Sequence, residues 1–238
     1  GFIIISADNR AIPILGYSFE NDFLLNNVPS NINWLLEKYK TQINHIITSN
    51  YQPENYIVDE WNLILSDELI QPENRDVSPL MDASFDQGGS WNNVVSSELG
   101  VGNGMVVGCV AVSMAQIMHY WKYPYVGTGS NYYMEDDYGL IEADFSTAYY
   151  DFDNMPATYG TYPSQLLLYH SGVSVNMDYD WSGSGAWVTG GYPSAFYAME
   201  NFFAYSSEIS YEWKDNHSTN EYRDIIKNEL DYNRPVIS

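Results

Sequence analysis

At 238 residues and 27.2 kDa the chain has room for one large domain or two modest ones, and its 45% hydrophobic and 16% aromatic content supports a packed core rather than a disordered chain. Nine basic residues against thirty-one acidic ones leave a net charge of −22, a field that repels phosphate backbones and anionic lipid and so argues against nucleic-acid or membrane-surface partners. The single cysteine excludes an intrachain disulfide and a zinc site built on cysteines, and no apolar run reaches the roughly 18 residues needed to cross a bilayer.

In chain order, residues 2–6 and 11–17 read as two short strands joined by a polar turn at Asp8-Asn9-Arg10. A loop through Asn26-Asn27-Val28-Pro29 leads to Ser30, an N-cap for a helix from Asn31 to about Ile47, where Trp34, Leu35, Tyr39, Ile43, Ile46 and Ile47 keep helical spacing. The polar, proline-bearing stretch 66–79 has no periodicity and reads as a linker, with a domain boundary near residue 75. A glycine-rich loop from Gly88 to Gly108 precedes a helix from Cys109 to about Lys122, on which Val110, Met114, Ile117, Met118 and Trp121 share one buried face. Residues 130–153 read as a hairpin or meander. A short helix from Ser164 to His170 follows, with Gly172 as a left-handed cap, then a strand over 173–179 and a Ser/Gly loop. Helices near 193–204 and 219–231 precede a strand that begins at Arg234-Pro235-Val236-Ile237. Neither end reads as a natural terminus, so the expectation is a piece of a longer chain.

The chemistry centres on Cys109. A thiol at the first residue of an apolar helix faces the positive end of the helix dipole and unpaired backbone N–H groups, the setting in which nucleophilic cysteines are made. Those N–H groups can also hold an oxyanion. The competing reading of the same position is a small buried hydrophobe.

The run GCVAVSMAQIMHYWKYP at 108–124 resembles the catalytic-cysteine helix of the streptopain-type cysteine peptidases, a papain-like group. The stretches 1–18 and 31–43 resemble the last strands and the helix of that family's propeptide. SFDQGG at 84–89, YYDFDNMP at 149–156 and the segment 172–186 fall in the family's order, so the resemblance covers nearly the whole chain. It implies an α+β, papain-like peptidase fold: a helical left domain, largely present, against a partly present antiparallel sheet. Before it would come an α+β propeptide with short antiparallel strands and one helix. Residues 1–75 would be the C-terminal part of the propeptide and 76–238 the N-terminal portion of the catalytic domain.

The resemblance also implies roles. Cys109 would attack the scissile carbonyl, and the Gln87 side-chain amide would complete the oxyanion hole with the cysteine's own N–H. Ser182, Gly183 and Ser184 would line the substrate cleft, and Asn31 would mark the propeptide segment that reaches the active site. No cofactor or metal is implied; the partners are peptide substrates and the chain's own propeptide, and the setting is extracellular. Two departures stand out: the acidic charge is unusually strong, which points to basic substrates or cations, and Phe85-Asp86 replaces a more common pair before Gln87.

A histidine partner is required and none of the four fits. His45 lies in the propeptide-like part, and His119 is ten residues along the cysteine's helix, about 15 Å away at 1.5 Å per residue. His170 ends a short helix, and His217 lies in a polar loop. In the family the histidine follows the strand begun at Val236, which would place it beyond Ser238. The rival reading is therefore a catalytically inactive relative acting as a protease inhibitor or binding module. Asp178-x-Asp180-x-Ser182-Gly183 mimics half a calcium loop, but its twelfth position is Thr189, so it reads as a solvated turn, as does Glu135-Asp136-Asp137.

Overall fold

The computed structural model describes residues 1–19, 22–23, 28, 30–66 and 79–237. The chain divides into two compact units, Gly1–Asp76 and Val77–Ser238. The boundary expected near residue 75, with residues 67–78 around it, lies outside the described residues.

In the first unit, β1 (Phe2–Ile5) pairs antiparallel with β2 (Ile14–Ser18), and α1 (Ser30–Thr48) and α2 (Asn55–Leu65) follow. The connecting turn is locked by Asp8, whose carboxylate takes the Arg10 guanidinium at 2.8 Å and the Arg10 N–H at 3.0 Å; these bonds hold the Asp8 carboxyl down at about 2. Each helix is tethered to the hairpin by one side chain: the Tyr39 hydroxyl donates to the Leu15 carbonyl at 3.1 Å, and the Trp61 indole to the Ala11 carbonyl at 2.8 Å. Ile57 and Ala11 are buried, whereas Trp34 and Ile47 of the expected apolar stripe stand exposed. The second helix was not expected. It lacks a side-chain cap at Glu54, so only the spacing of Ile57, Trp61, Ile64 and Leu65 announces it.

The second unit is built round two buried helices, α4 (Cys109–Trp121) and α5 (Tyr162–Ser174). The short α3 (Asn93–Glu98) packs on α5, as does the hairpin of β3 (Ser130–Glu135) and β4 (Gly139–Asp144). α6 (Ala195–Asn201) leans on both central helices, and α7 (Thr219–Asp231) comes last. Val110, Met114, Ile117 and Met118 of α4 are buried as their spacing predicts. Trp121 is not: it is 47% exposed, its ring set edge-on to Tyr120 at 4.8 Å rather than in the core. The hairpin tip is closed by Glu135, whose carboxylate accepts the N–H groups of Asp137 and Tyr138 at 2.8 and 2.7 Å.

α5 corrects three expectations together. It runs from Tyr162 to Ser174 and passes through Gly172, which is helical and buried. Space, not a left-handed turn, demands glycine there, because a Cβ at 172 would lie 2.2 Å from the Tyr179 hydroxyl. The left-handed residue is Asn176, with φ 51°; the N–H of Asn176 returns to the Val173 carbonyl at 3.2 Å and that of Met177 to Gly172 at 3.1 Å, the double closure of a Schellman turn. The strand expected over 173–179 reduces to one antiparallel bridge, Asp178 with Gly185. Likewise residues 235–237 pair with no strand among the described residues, and Ile237 packs at the edge of the core. α7 matches its expected range, opened by reciprocal bonds between Ser218 and Glu221 and closed at left-handed Asn233.

His170 is buried on α5, and its Nδ1 shares a hydrogen bond of 2.9 Å with the Tyr150 hydroxyl. Burial pushes its pKa down to about 4, so the ring is neutral in the fold. The unfolded chain takes a proton below about 6.5, so this group's contribution is complete above that pH and lost as pH falls towards 4, at about 1.4 kcal/mol per unit. Ring carbon shifts of His170 should therefore stay at neutral values at pH 5, and a midpoint near 6.5 would contradict this account. A second check concerns close packing: a Cβ on Gly160 would sit 2.1 Å from the Ser90 carbonyl oxygen, whereas Gly183 has open space. Thermal unfolding should show Gly160→Ala losing about 1–3 kcal/mol and Gly183→Ala staying within about 0.5 kcal/mol of the parent; equal effects would refute the contact.

Candidate active site

The site forms where the glycine-rich loop returns to start α4. Phe85 and Trp91 stack at 4.7 Å in the core, and the buried Asn92 amide donates to the Met105 carbonyl at 2.8 Å, fixing the two limbs of the loop. Met105 and Val107 are fully buried. Gly108 then has φ 98°, and a Cβ there would lie 2.6 Å from the Met177 thioether. Both observations require glycine. Cys109 follows as the first residue of α4, its side chain exposed although the body of the helix is buried. No side chain caps this helix start, and the intrahelical ladder opens with the Val112 N–H to the Gly108 carbonyl at 3.1 Å, leaving the N–H groups of the first turn available.

Gln87 is held beside this turn by its backbone, because the Val107 N–H donates to the Gln87 carbonyl at 3.0 Å. The Asp86 carboxylate takes the Gln87 N–H at 2.6 Å. A neutral amide donor and a helix-start N–H can together stabilise a tetrahedral oxyanion without opposing a thiolate–imidazolium pair.

The loop 180–185 divides the three residues matched to the substrate cleft. Ser184 is buried; its hydroxyl donates to the Val106 carbonyl and accepts the Asp180 N–H at 3.1 Å, which pins the loop against the segment entering α4. Ser182 is exposed and bonds the Asp180 carboxylate through its N–H and hydroxyl, and Gly183 is open to solvent. Those two bonds, the hydroxyl's foremost, hold the Asp180 carboxyl below its usual range. Trp181 braces the loop from outside, its ring lying over Gly104. Asn31 falls in the first turn of α1, and its side chain lies outside the described residues.

No histidine meets the thiol, which makes no hydrogen bond among the described residues. His119 bonds the Met155 carbonyl at 2.9 Å and sits edge-on to Phe85. His170 faces Tyr150, and His217 reaches Glu212 at 3.0 Å. Among the described residues no group of three acidic, histidine or cysteine side chains could hold a metal ion, and no helix is long and apolar enough to cross a membrane. Sequence reasoning missed Met177, which stands against Gly108; the only signal was a glycine directly before the cysteine.

Residues 85–238 match the Peptidase C10 family, and residues 1–43 match the Spi protease inhibitor family. Streptopain of Streptococcus pyogenes is 28% identical over 259 residues, an alignment covering 99% of this chain and 61% of streptopain. The thiol protease/hemagglutinin PrtT of Porphyromonas gingivalis is 25% identical, covering 99% of this chain and 28% of that protein. Among solved structures, a prointerpain A fragment from Prevotella intermedia is 29% identical with a TM-score of 0.68, covering 96% of this chain and 71% of the fragment. Active interpain A cysteine protease from the same organism is 28% identical with a TM-score of 0.55, covering 68% and 70%. The chain thus spans about 61% of the length of the streptopain it matches. These likenesses, with the helix-centred second unit and its antiparallel hairpin, make the fold the α+β, papain-like peptidase fold preceded by a propeptide segment. The chain belongs to the Peptidase C10 family.

Proposed function

We propose that the chain comes from the precursor of a secreted cysteine endopeptidase, with residues 1–75 the C-terminal part of the propeptide and 76–238 the N-terminal portion of the catalytic domain. The observation that carries this is the exposed Cys109 thiol at the uncapped start of an otherwise buried helix. In this reading the thiolate attacks the scissile carbonyl, and the resulting oxyanion is held by the Cys109 N–H and the Gln87 carboxamide. A histidine takes the thiol proton and returns it to the leaving amine. His119, His170 and His217 are engaged elsewhere, so the step is assigned to a histidine in family sequence that these 238 residues do not span. Ser182 and Gly183 border the peptide, and Ser184 holds their loop in place. Asn31 belongs to the segment that keeps the precursor latent by occupying the cleft. Substrates are peptides and proteins, and no cofactor enters the scheme. Extracellular action accords with the −22 charge and with the resemblance to streptopain. Nothing observed favours the inactive alternative.

Two substitutions in the full-length, activated enzyme test the assignment. Cys109→Ala should abolish peptide hydrolysis while leaving the fold intact by circular dichroism. Gln87→Ala should lower kcat by about 10²–10³ with little change in KM. A Gln87→Ala enzyme with unchanged kcat, or a Cys109→Ala enzyme that still hydrolyses, would overturn these roles.

A further inference from the structure

Two hydrogen bonds meet on one peptide group just before the cysteine helix. The Ser184 hydroxyl donates to the Val106 carbonyl, and the Val107 N–H donates to the Gln87 carbonyl at 3.0 Å. That carbonyl and that N–H belong to the same peptide unit, which is trans and planar. In a trans unit the two groups point in opposite directions, so Ser184 and Gln87 grip the segment from its two sides. Turning this plane about the chain breaks both bonds together.

The grip on the Ser184 side is itself anchored. Ser184 is buried, and the Val106 carbonyl is the nearer of two acceptors for its proton, the Asp180 carbonyl lying at 3.3 Å. Its oxygen accepts the Asp180 N–H at 3.1 Å, and the next residue, Gly185, exchanges two backbone bonds of 2.9 Å with Asp178. A Cβ at 108 would lie 3.3 Å from the Ser184 Cβ, so the side chain also backs onto the glycine that precedes the nucleophile. Only that glycine separates the held peptide from Cys109.

The tilt of this one plane sets both where the Gln87 backbone lies and how the chain enters the first turn of α4. Those are the two sources of the oxyanion donors, the Gln87 carboxamide and the Cys109 N–H. Such donors work only when they are fixed in advance at hydrogen-bond distance from the developing charge. Among the described residues no other donor reaches the Val106 carbonyl, so without the hydroxyl that side of the peptide is free to swing. Donation to the carbonyl also polarises the peptide and strengthens the Val107 N–H as a donor to Gln87. We propose that Ser184 is a positioning residue for the oxyanion hole, its hydroxyl setting Gln87 against the Cys109 N–H through the Val106–Val107 peptide unit. The proposal rests on the peptidase reading above and adds a residue to that site.

The test uses the activated full-length enzyme, with kcat expressed per thiol titrated by an irreversible thiol-directed inhibitor. Ser184→Ala should lower kcat by about tenfold or more, with KM within about twofold of the parent. Added to Gln87→Ala, the same substitution should cost no more than about a further threefold, because the hydroxyl acts through a group already removed. Ser184→Thr, which keeps the donor, should stay within about threefold of the parent kcat. A hydroxyl that only shapes the loop 180–185 raises KM at unchanged kcat, and one that only supports the fold lowers the melting temperature and the titratable fraction at unchanged kcat per site. Either result overturns the proposal, as do a Ser184→Ala protein with no titratable thiol, a Ser184→Thr enzyme as slow as Ser184→Ala, and a loss in the double variant as large as in Ser184→Ala alone. A parent that cuts no peptide, or a Gln87→Ala enzyme with unchanged kcat, overturns the peptidase reading or its oxyanion hole; where both hold, the outcomes above bear on Ser184 alone.

Discussion

The start of α4 depends on one close contact, the Met177 thioether against the α-carbon of Gly108. It permits no side chain at 108, and the left-handed φ of that residue turns the chain so that the next one, Cys109, opens the helix with its thiol outward. Met177 is placed in turn by the Schellman turn that ends α5, and it can only follow that turn because Asn176 tolerates a left-handed conformation. The two buried helices of the second unit are thus coupled end to start. The C-terminus of one sets the N-terminus of the other.

The same coupling explains why the loop 180–185 lies where it does. Ser184 gives its hydroxyl to Val106 and sets its Cβ against Gly108, so the residues after it leave the bridge at a defined point. Rigid elements therefore fix the candidate catalytic thiol through one glycine. Precision of this kind is what covalent catalysis on a peptide needs, since misplacement by about 1 Å is enough to cost a hundredfold in rate.

Legibility in the sequence followed how local each cause is. α7 was readable at both ends because the Ser218/Glu221 box is written within four residues. α4 was readable because its apolar spacing and a preceding glycine are adjacent, and Cys109 came with it. Gly172 was misread because a glycine admits two causes, φ and space, and the space is claimed by Tyr179, which only the fold brings there. Ser184 stands in a Ser/Gly loop matched to the substrate cleft, yet its partner is a carbonyl 78 positions away. Trp121 fits the helical stripe and still lies outside the core, so periodicity named a face without saying how far the core extends.

The central claim is a latent peptidase whose nucleophile is Cys109. The most direct measurement is intact-mass spectrometry of the full-length protein treated with an epoxide directed at peptidase thiols, before and after cleavage within residues 66–79. The account predicts a single adduct, mapped to Cys109, forming slowly in the uncut protein and rapidly once the linker is cut. A folded, cut protein whose Cys109 stays unmodified would contradict it.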